Sequence, residues 1–360
     1  MNLSISNQLK SKNNNFNLLR LIAAFAVLIS HSYPLATGDG YAEPLKKLIG
    51  ITLGHISVDI FFITSGFLIT ASLLRSKSIT DYILARLLRI YPALIVSTIL
   101  TAFILGPLVT SVNLSDYFSY KTFTYIIKNS LLIFGVQFEL PGVFISVPWK
   151  NAVNGSLWTL PYELKMYFYL LVIFIAIKKI SAVIPLLSFK NTILTLALLS
   201  VLLHIANHIY LHKFDNSIRL FSFFFSGAAF YCFIEKIKLE KKIAVSMLFP
   251  PLILVGHPIL FICSYILILP YIVFYFSFKP TGAIRRFNQF GDYSYGIYIY
   301  AFPSQQLVMF LLPNSSVFEL TLVSSLLTFA LAYFSWHLIE KNSLKLKKSH
   351  PFKNRVKHEV

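Results

Sequence analysis

The sequence predicts an all-α polytopic membrane protein of about ten transmembrane helices, with both termini cytoplasmic. Apolar residues make up 56% of its 360 residues and charged residues only 13%, a balance that a water-soluble globule of this size does not carry. The apolar residues form long runs. The basic ones, 32 Lys plus Arg against 14 Asp plus Glu for a net charge of +18, gather between those runs in segments such as "KIKLEKK" and "KNSLKLKKSHPFKNRVKH". This is the positive-inside pattern of cytoplasmic loops, so the charge requires no nucleic-acid partner.

A helix needs about 20 mostly apolar residues to cross the hydrocarbon. Ten segments qualify: 16–37, 51–74, 83–107, 157–178, 192–211, 218–235, 243–258, 259–278, 291–312 and 317–339. The segment at 123–136 carries Lys128 and is too short to span. Ten crossings put the basic groups at 75–89, 179–190, 236–242, 279–286 and 341–358 on the cytoplasmic side, whereas an eleventh would send one end outside. The expected organisation is a polar cytoplasmic tail at 1–15, a transmembrane domain at 16–340 and a basic cytoplasmic tail at 341–360. Within the domain, 108–156 is an external loop with a buried or re-entrant hairpin. The first apolar run continues past a polar histidine without a small-residue cleavage site, so it reads as a retained helix. Cys232 and Cys263 fall in apolar runs without ligand-like neighbours, so neither a disulfide framework nor a metal site is expected.

Polar residues inside spans cost roughly 2.5–3.5 kcal/mol at a helix centre on insertion scales, so each asks for a partner or a purpose. Arg20 and His31 are eleven residues apart, which places them on one helix face about 16 Å apart along the axis. The bland alternatives are that Arg20 is a snorkelling anchor and that His31 is a hydrogen-bonded packing residue. Asp59, in "SVDIFFITSGFLI" with Ser65, is the costliest residue of the second span and needs a cation or the imidazole beside it. Arg86 and Arg89 in "ARLLRIYP" share a face, which suits cytoplasmic anchoring or a phosphate group. In "NGSLWTLPYE", Asn154, Ser156 and Trp158 sit at the outer interface, Glu163 lies deeper, and Tyr167 follows one turn on. Cations near the cytoplasmic mouth, an imidazole midway and a carboxylate toward the outside fit transfer of a group from an inner donor to an outer acceptor. They also fit a proton-coupled transporter.

These segments, taken in order with "FGDYSYGIYIYAFPSQQ" and "WHLIEK", resemble the integral-membrane acyltransferase family 3, which O-acetylates bacterial surface polysaccharides and related glycans. The resemblance spans nearly the whole chain. It implies acetyl-CoA as a cytoplasmic co-substrate with no permanently bound cofactor, a glycan acceptor such as O-antigen or capsule, and residence in the bacterial inner membrane. His31 matches the catalytic residue of the family's Arg-ten-His motif, and Glu163 its conserved acid, with Asp59 in support. Arg86 and Arg89 match its paired-arginine motif and, with Arg20, would serve the donor. Ser65, Asn154, Trp158, Tyr167, Tyr295 and Tyr300 are candidates for the acceptor path or its surroundings. One departure stands out: many members carry His where this chain has Tyr300, which places more weight on His31. The chain continues about twenty residues past its last span, so the acceptor is expected to react in the membrane domain or on a separate partner. The competing expectation is a transporter or flippase for a lipid-linked glycan, using the same polar residues as a proton relay. Against it, the sequence shows no paired interrupted helices in related halves.

Overall fold

A computed structural model describes residues 13–181, 184, 187–210 and 215–349. Residues 1–12 of the expected N-terminal tail, 350–360 of the basic tail, and parts of the connections near 182–186 and 211–214 lie outside the described residues. Among those described, the fold is all-helical, and the only β pairing is a single bridge between Thr110 and Val143. The principal helices are α1 (Phe16–Thr37), α2 (Leu53–Arg75), α3 (Ile79–Leu100), α4 (Tyr120–Leu131), α5 (Leu160–Ile180), α6 (Phe189–Tyr210), α7 (Asn216–Phe233), α8 (Lys241–Ile253), α9 (Pro258–Phe278), α10 (Ser294–Leu311) and α11 (Val317–Phe334).

Local chemistry accounts for many of the boundaries. Thr52, Ser78 and Asp215 accept hydrogen bonds from the first backbone N–H groups of α2, α3 and α7. Ser316 and Glu319 form a reciprocal capping box that opens α11. Gly38 ends α1 at φ 74°, a left-handed conformation that glycine adopts without strain. Two helices continue through π-turns, α3 across Thr101–Leu105 into Gly106–Val109 and α11 across Ser335–Glu340.

Among the described residues, seven helical stretches are long and apolar enough to cross a membrane: Phe16–Thr37, Leu53–Arg75, Ile79–Val109, Gly155–Ile180, Phe189–Tyr210, Pro258–Phe278 and Val317–Leu346. The other three expected crossings are also helical. α8 has 13 residues and contains Pro250 and Pro251, whereas α7 and α10 have 18 residues each. The composition of α10 has a structural reason. It is buried along nearly its whole length, including Ser294, Ser304, Gln305 and Gln306, so its surroundings are protein and not lipid. Gln305 donates to the Leu28 carbonyl and the Ser32 hydroxyl of α1, and Gln306 to the carbonyls of Trp149 and Ala152.

The tightest helix contact lies between α2 and α7. A Cβ at Gly66 would run into the Phe224 carbonyl, and one at Gly227 into the Ile63 carbonyl. Small residues that let two backbones touch are the usual basis of helix association in membranes, where lipid is as apolar as leucine.

Candidate active site

Asp292 immediately precedes α10 and gathers two arginines from different helices. Its Oδ2 accepts from Arg20 of α1 at 3.0 Å and from Arg89 of α3 at 2.5 Å. The other side of the Arg89 guanidinium donates to Glu340 at 3.2 Å, where the π-turn of α11 also presents Trp336. The Arg89 guanidinium further lies 5.6 Å from the Tyr295 ring centre and 6.0 Å from that of Trp336. Two carboxylates therefore balance two guanidiniums, which is what makes burying them tolerable.

Arg86 is placed differently. Its one hydrogen bond is to Ser72 at 3.4 Å, its guanidinium stands 6.0 Å from the Tyr167 ring centre, and its Nε is buried without a partner. Among the described residues it has no carboxylate partner. Arg86 therefore keeps charge-assisted donors available for an incoming anion, whereas Arg89 is engaged by protein.

Between the Arg20 guanidinium and Glu163 lies a narrow cavity lined by Phe61, Ser65, Thr159, Tyr295 and Tyr298 in addition to those two residues. About 40 Å³ of it is open to the centre of a water molecule, room for roughly two or three waters. Ser65 donates to Glu163 Oε1 at 3.3 Å, and the Tyr167 hydroxyl donates to the same oxygen. Tyr298 donates to the Ser156 carbonyl at 2.7 Å and pairs with the Thr159 hydroxyl at 2.6 Å, fixing the segment that leads into α5.

His31 sits farther along α1, its ring edge against Phe302 with centroids 5.5 Å apart. The same Phe302 ring closes on Gly155, where an added Cβ would come within 2.7 Å of Cε2. Phe302 thus brings the Arg-ten-His helix together with the "NGSLW" segment. His31 Nδ1, Asn154 Oδ1 and Ser156 Oγ are all buried without protein partners, although Asn154 does donate to the Ile299 carbonyl at 2.9 Å. More than nine in ten buried polar groups in proteins are paired. These three buried atoms are therefore open hydrogen-bonding positions in one region.

Not every anticipated neighbour is there. Asp59 is committed elsewhere: it pairs with Arg219 of α7 at 3.5 Å and accepts from Tyr265 of α9 at 2.7 Å, instead of facing His31 or Arg20. Trp158 packs edge-on to Tyr162, Tyr295 donates to the Ile90 carbonyl, and Tyr300 is buried. Asp292, Glu340, Arg219, Tyr265, Ser72 and Phe302 did not stand out from sequence. Asp292, Glu340 and Phe302 lie inside the "FGDYSYGIYIYAFPSQQ" and "WHLIEK" segments. An arginine within the apolar run at 218–235 is itself a signal that a buried acid awaits it.

A family model described as an acyltransferase domain matches residues 13–337. An O-acetyl transferase of Shigella phage Sf6 is 31% identical over 342 residues, covering 92% of this chain and 96% of the relative. Nodulation protein 10 of Rhizobium leguminosarum bv. viciae is 37% identical over 160 residues, 43% of this chain and 42% of that protein. No solved structure matches the chain. With a family match over nearly its whole length, a full-length O-acetyl transferase relative and several membrane-length helices, the chain belongs to the membrane acyltransferase family 3 and is an O-acetyltransferase enzyme.

Proposed function

We propose that this enzyme carries an acetyl group from cytoplasmic acetyl-CoA to a hydroxyl of a cell-surface or lipid-linked glycan, such as O-antigen or capsule. We place it in the bacterial inner membrane, with ten crossings and both termini in the cytoplasm. The observation that carries the reading is the unpartnered His31 Nδ1, held beside the Phe302–Gly155 contact. The Asp292-balanced arginines and Arg86 lie toward the other end of the same bundle, and the cavity lined by Arg20 and Glu163 lies between.

The chemistry follows from those positions. Arg86, with donors to spare, would hold a phosphate of the donor, supported by the fixed Arg20 and Arg89. His31 serves as base on the acceptor hydroxyl or takes the acetyl group transiently. In the direct route the hydroxyl oxygen bonds to the acetyl carbonyl, the carbon–sulfur bond of the thioester breaks, and the hydroxyl proton passes through His31 toward the departing thiolate. Asn154 Oδ1 and Ser156 Oγ, buried without protein partners, would accept sugar hydroxyls. Glu163, clamped by Ser65 and Tyr167, faces the cavity between the two ends.

The test is the purified protein in liposomes, given acetyl-CoA and an unacetylated glycan. Release of coenzyme A matched one-for-one by glycan acetylation supports the proposal. Glycan crossing intact with no acetyl-CoA consumed would replace it with the transporter. Topology is checked by single cysteines: those placed in 113–121 and 140–150 should label with an impermeant thiol reagent from outside, and those at 238 and 282 only after the membrane is opened.

A further inference from the structure

Lys128 lies in the segment that is too short to span, and the chemistry above gives it no task. The helix that carries it, α4, divides into three adjacent sectors of about 60–80° each, taking about 100° of turn per residue. Thr122, Tyr125 and Asn129 are buried. Phe123 and Ile127 are 50% and 53% exposed, and Leu131 continues their stripe. Lys121, Thr124 and Lys128 form the third sector and line an open cleft together with Gln137, Glu139 and Asn151.

Contacts with α3 set the depth of this helix. Tyr117, just before α4, donates to the Ala102 carbonyl at 2.6 Å, and Tyr91 donates to the Leu131 carbonyl at 3.1 Å. α4 therefore runs antiparallel to α3, from the level of Ala102 to that of Tyr91, about 16 Å along the axis. Ile79–Val109 is itself membrane-spanning in length and composition, so the exposed stripe of α4 lies at hydrocarbon depth. The lysines stand next to that stripe. Neither forms an ion pair among the described residues.

We propose that this cleft anchors the acceptor as a lipid-linked saccharide, with Lys121 and Lys128 holding its linking phosphate. The hydrocarbon tail runs along Phe123, Ile127 and Leu131, and the sugars enter the cleft. The inference rests on the acceptor being a glycan, as proposed above, and narrows it to a lipid-linked one. Unpaired cations at the border between a lipid-facing stripe and a polar cleft fit the one part of such a molecule that is both anionic and located at that border. The cleft offers about 570 Å³ to a saccharide, with amide and carboxylate groups to bond its hydroxyls, whereas a phospholipid headgroup would leave most of it unfilled.

The test uses the full-length protein in nanodiscs. Lys121→Gln/Lys128→Gln should raise the KM for a lipid-linked acceptor about tenfold per lysine while leaving kcat and the KM for acetyl-CoA in place. A polyprenyl diphosphate should compete with the acceptor on the wild type and much less on the double variant, and phosphatidylglycerol should compete with neither. The exposed Lys121→Gln change alone should fold and show a partial effect. An unchanged acceptor KM, equal binding of polyprenyl diphosphate to both forms in native mass spectrometry, or equal competition by phosphatidylglycerol would overturn the site. Absence of any acetyl transfer from acetyl-CoA by the wild type would instead defeat the enzymatic reading. The binding comparison still decides the site in that case.

Discussion

Arg20 donates to Asp292, 272 residues farther along the chain, at 3.0 Å. Arg89 reaches the same carboxylate oxygen, so Asp292 holds together two cations that would otherwise repel. Asp292→Asn removes that charge and leaves the guanidiniums facing one another. The expected loss is about 2–3 kcal/mol of stability, below the range for fully buried pairs because these side chains keep some exposure. It is read from the unfolding midpoint in detergent, with Asp292→Glu restoring part of it. An unshifted midpoint would remove Asp292 as the organiser of the arginines.

Arg86 and Arg89 should separate in experiment although they share one motif. Arg86→Ala should raise the KM for acetyl-CoA by the equivalent of about 1.5–3 kcal/mol with the unfolding midpoint nearly unchanged. Lysine should rescue only part of this, since it lacks the planar fork. Arg89→Ala strands Asp292 and Glu340 without their shared cation and should lower stability first. Equal effects of the two changes on KM and on the midpoint would count against this division.

His31→Ala should preserve expression and elution while activity falls about 10²–10⁴-fold, the usual contribution of a positioned general base. The ring makes no hydrogen bond through Nδ1, so its removal costs the fold only its packing on Phe302. Retention of a tenth of wild-type acetyl transfer by the well-folded variant would end the catalytic assignment.

Gly66→Ala tests the α2–α7 contact. A methyl group there meets the Phe224 backbone, which has no flexible side-chain end to yield, so the helices must separate. A cost of about 1–3 kcal/mol is expected, as for overpacked cores. Gly227→Ala should behave alike, whereas Gly256→Ala, where an added Cβ meets nothing within 4 Å, should be nearly silent. A loss at Gly256 equal to that at Gly66 would show that the effect is not one of close approach.

Much of the fold was readable because lipid imposes a simple rule: a helix that faces hydrocarbon must be long and apolar. Seven helices obey it, and all seven coincide with expected crossings. α10 shows where the rule weakens. Enclosed by protein, it carries Gln305 and Gln306, whose bonds to α1 and to the 149–152 segment only the assembled bundle supplies. The polar residues were partly readable on the same ground, since Asp59 and Glu163 were costly to bury without cause and Arg20, Arg86 and Arg89 each asked for either an anchoring or a binding role. Their partners were not readable, because an ion pair joins residues by space and not by sequence distance.

Composition and spacing alone carry the class of molecule, the places where polar groups interrupt apolar runs, and the ordered motifs that mark the family. These are properties of local composition and spacing, which hold whatever the helices pack against. The packed bundle is what assigns Asp59 to Arg219 and Tyr265, occupies Arg89 with Asp292 and Glu340 while Arg86 stays available, and joins His31 to Gly155 through Phe302. The physical reason is range. Burial cost is set by the residue itself, whereas its compensation is a contact of 3–4 Å, whose partner depends on how the helices are arranged around one another.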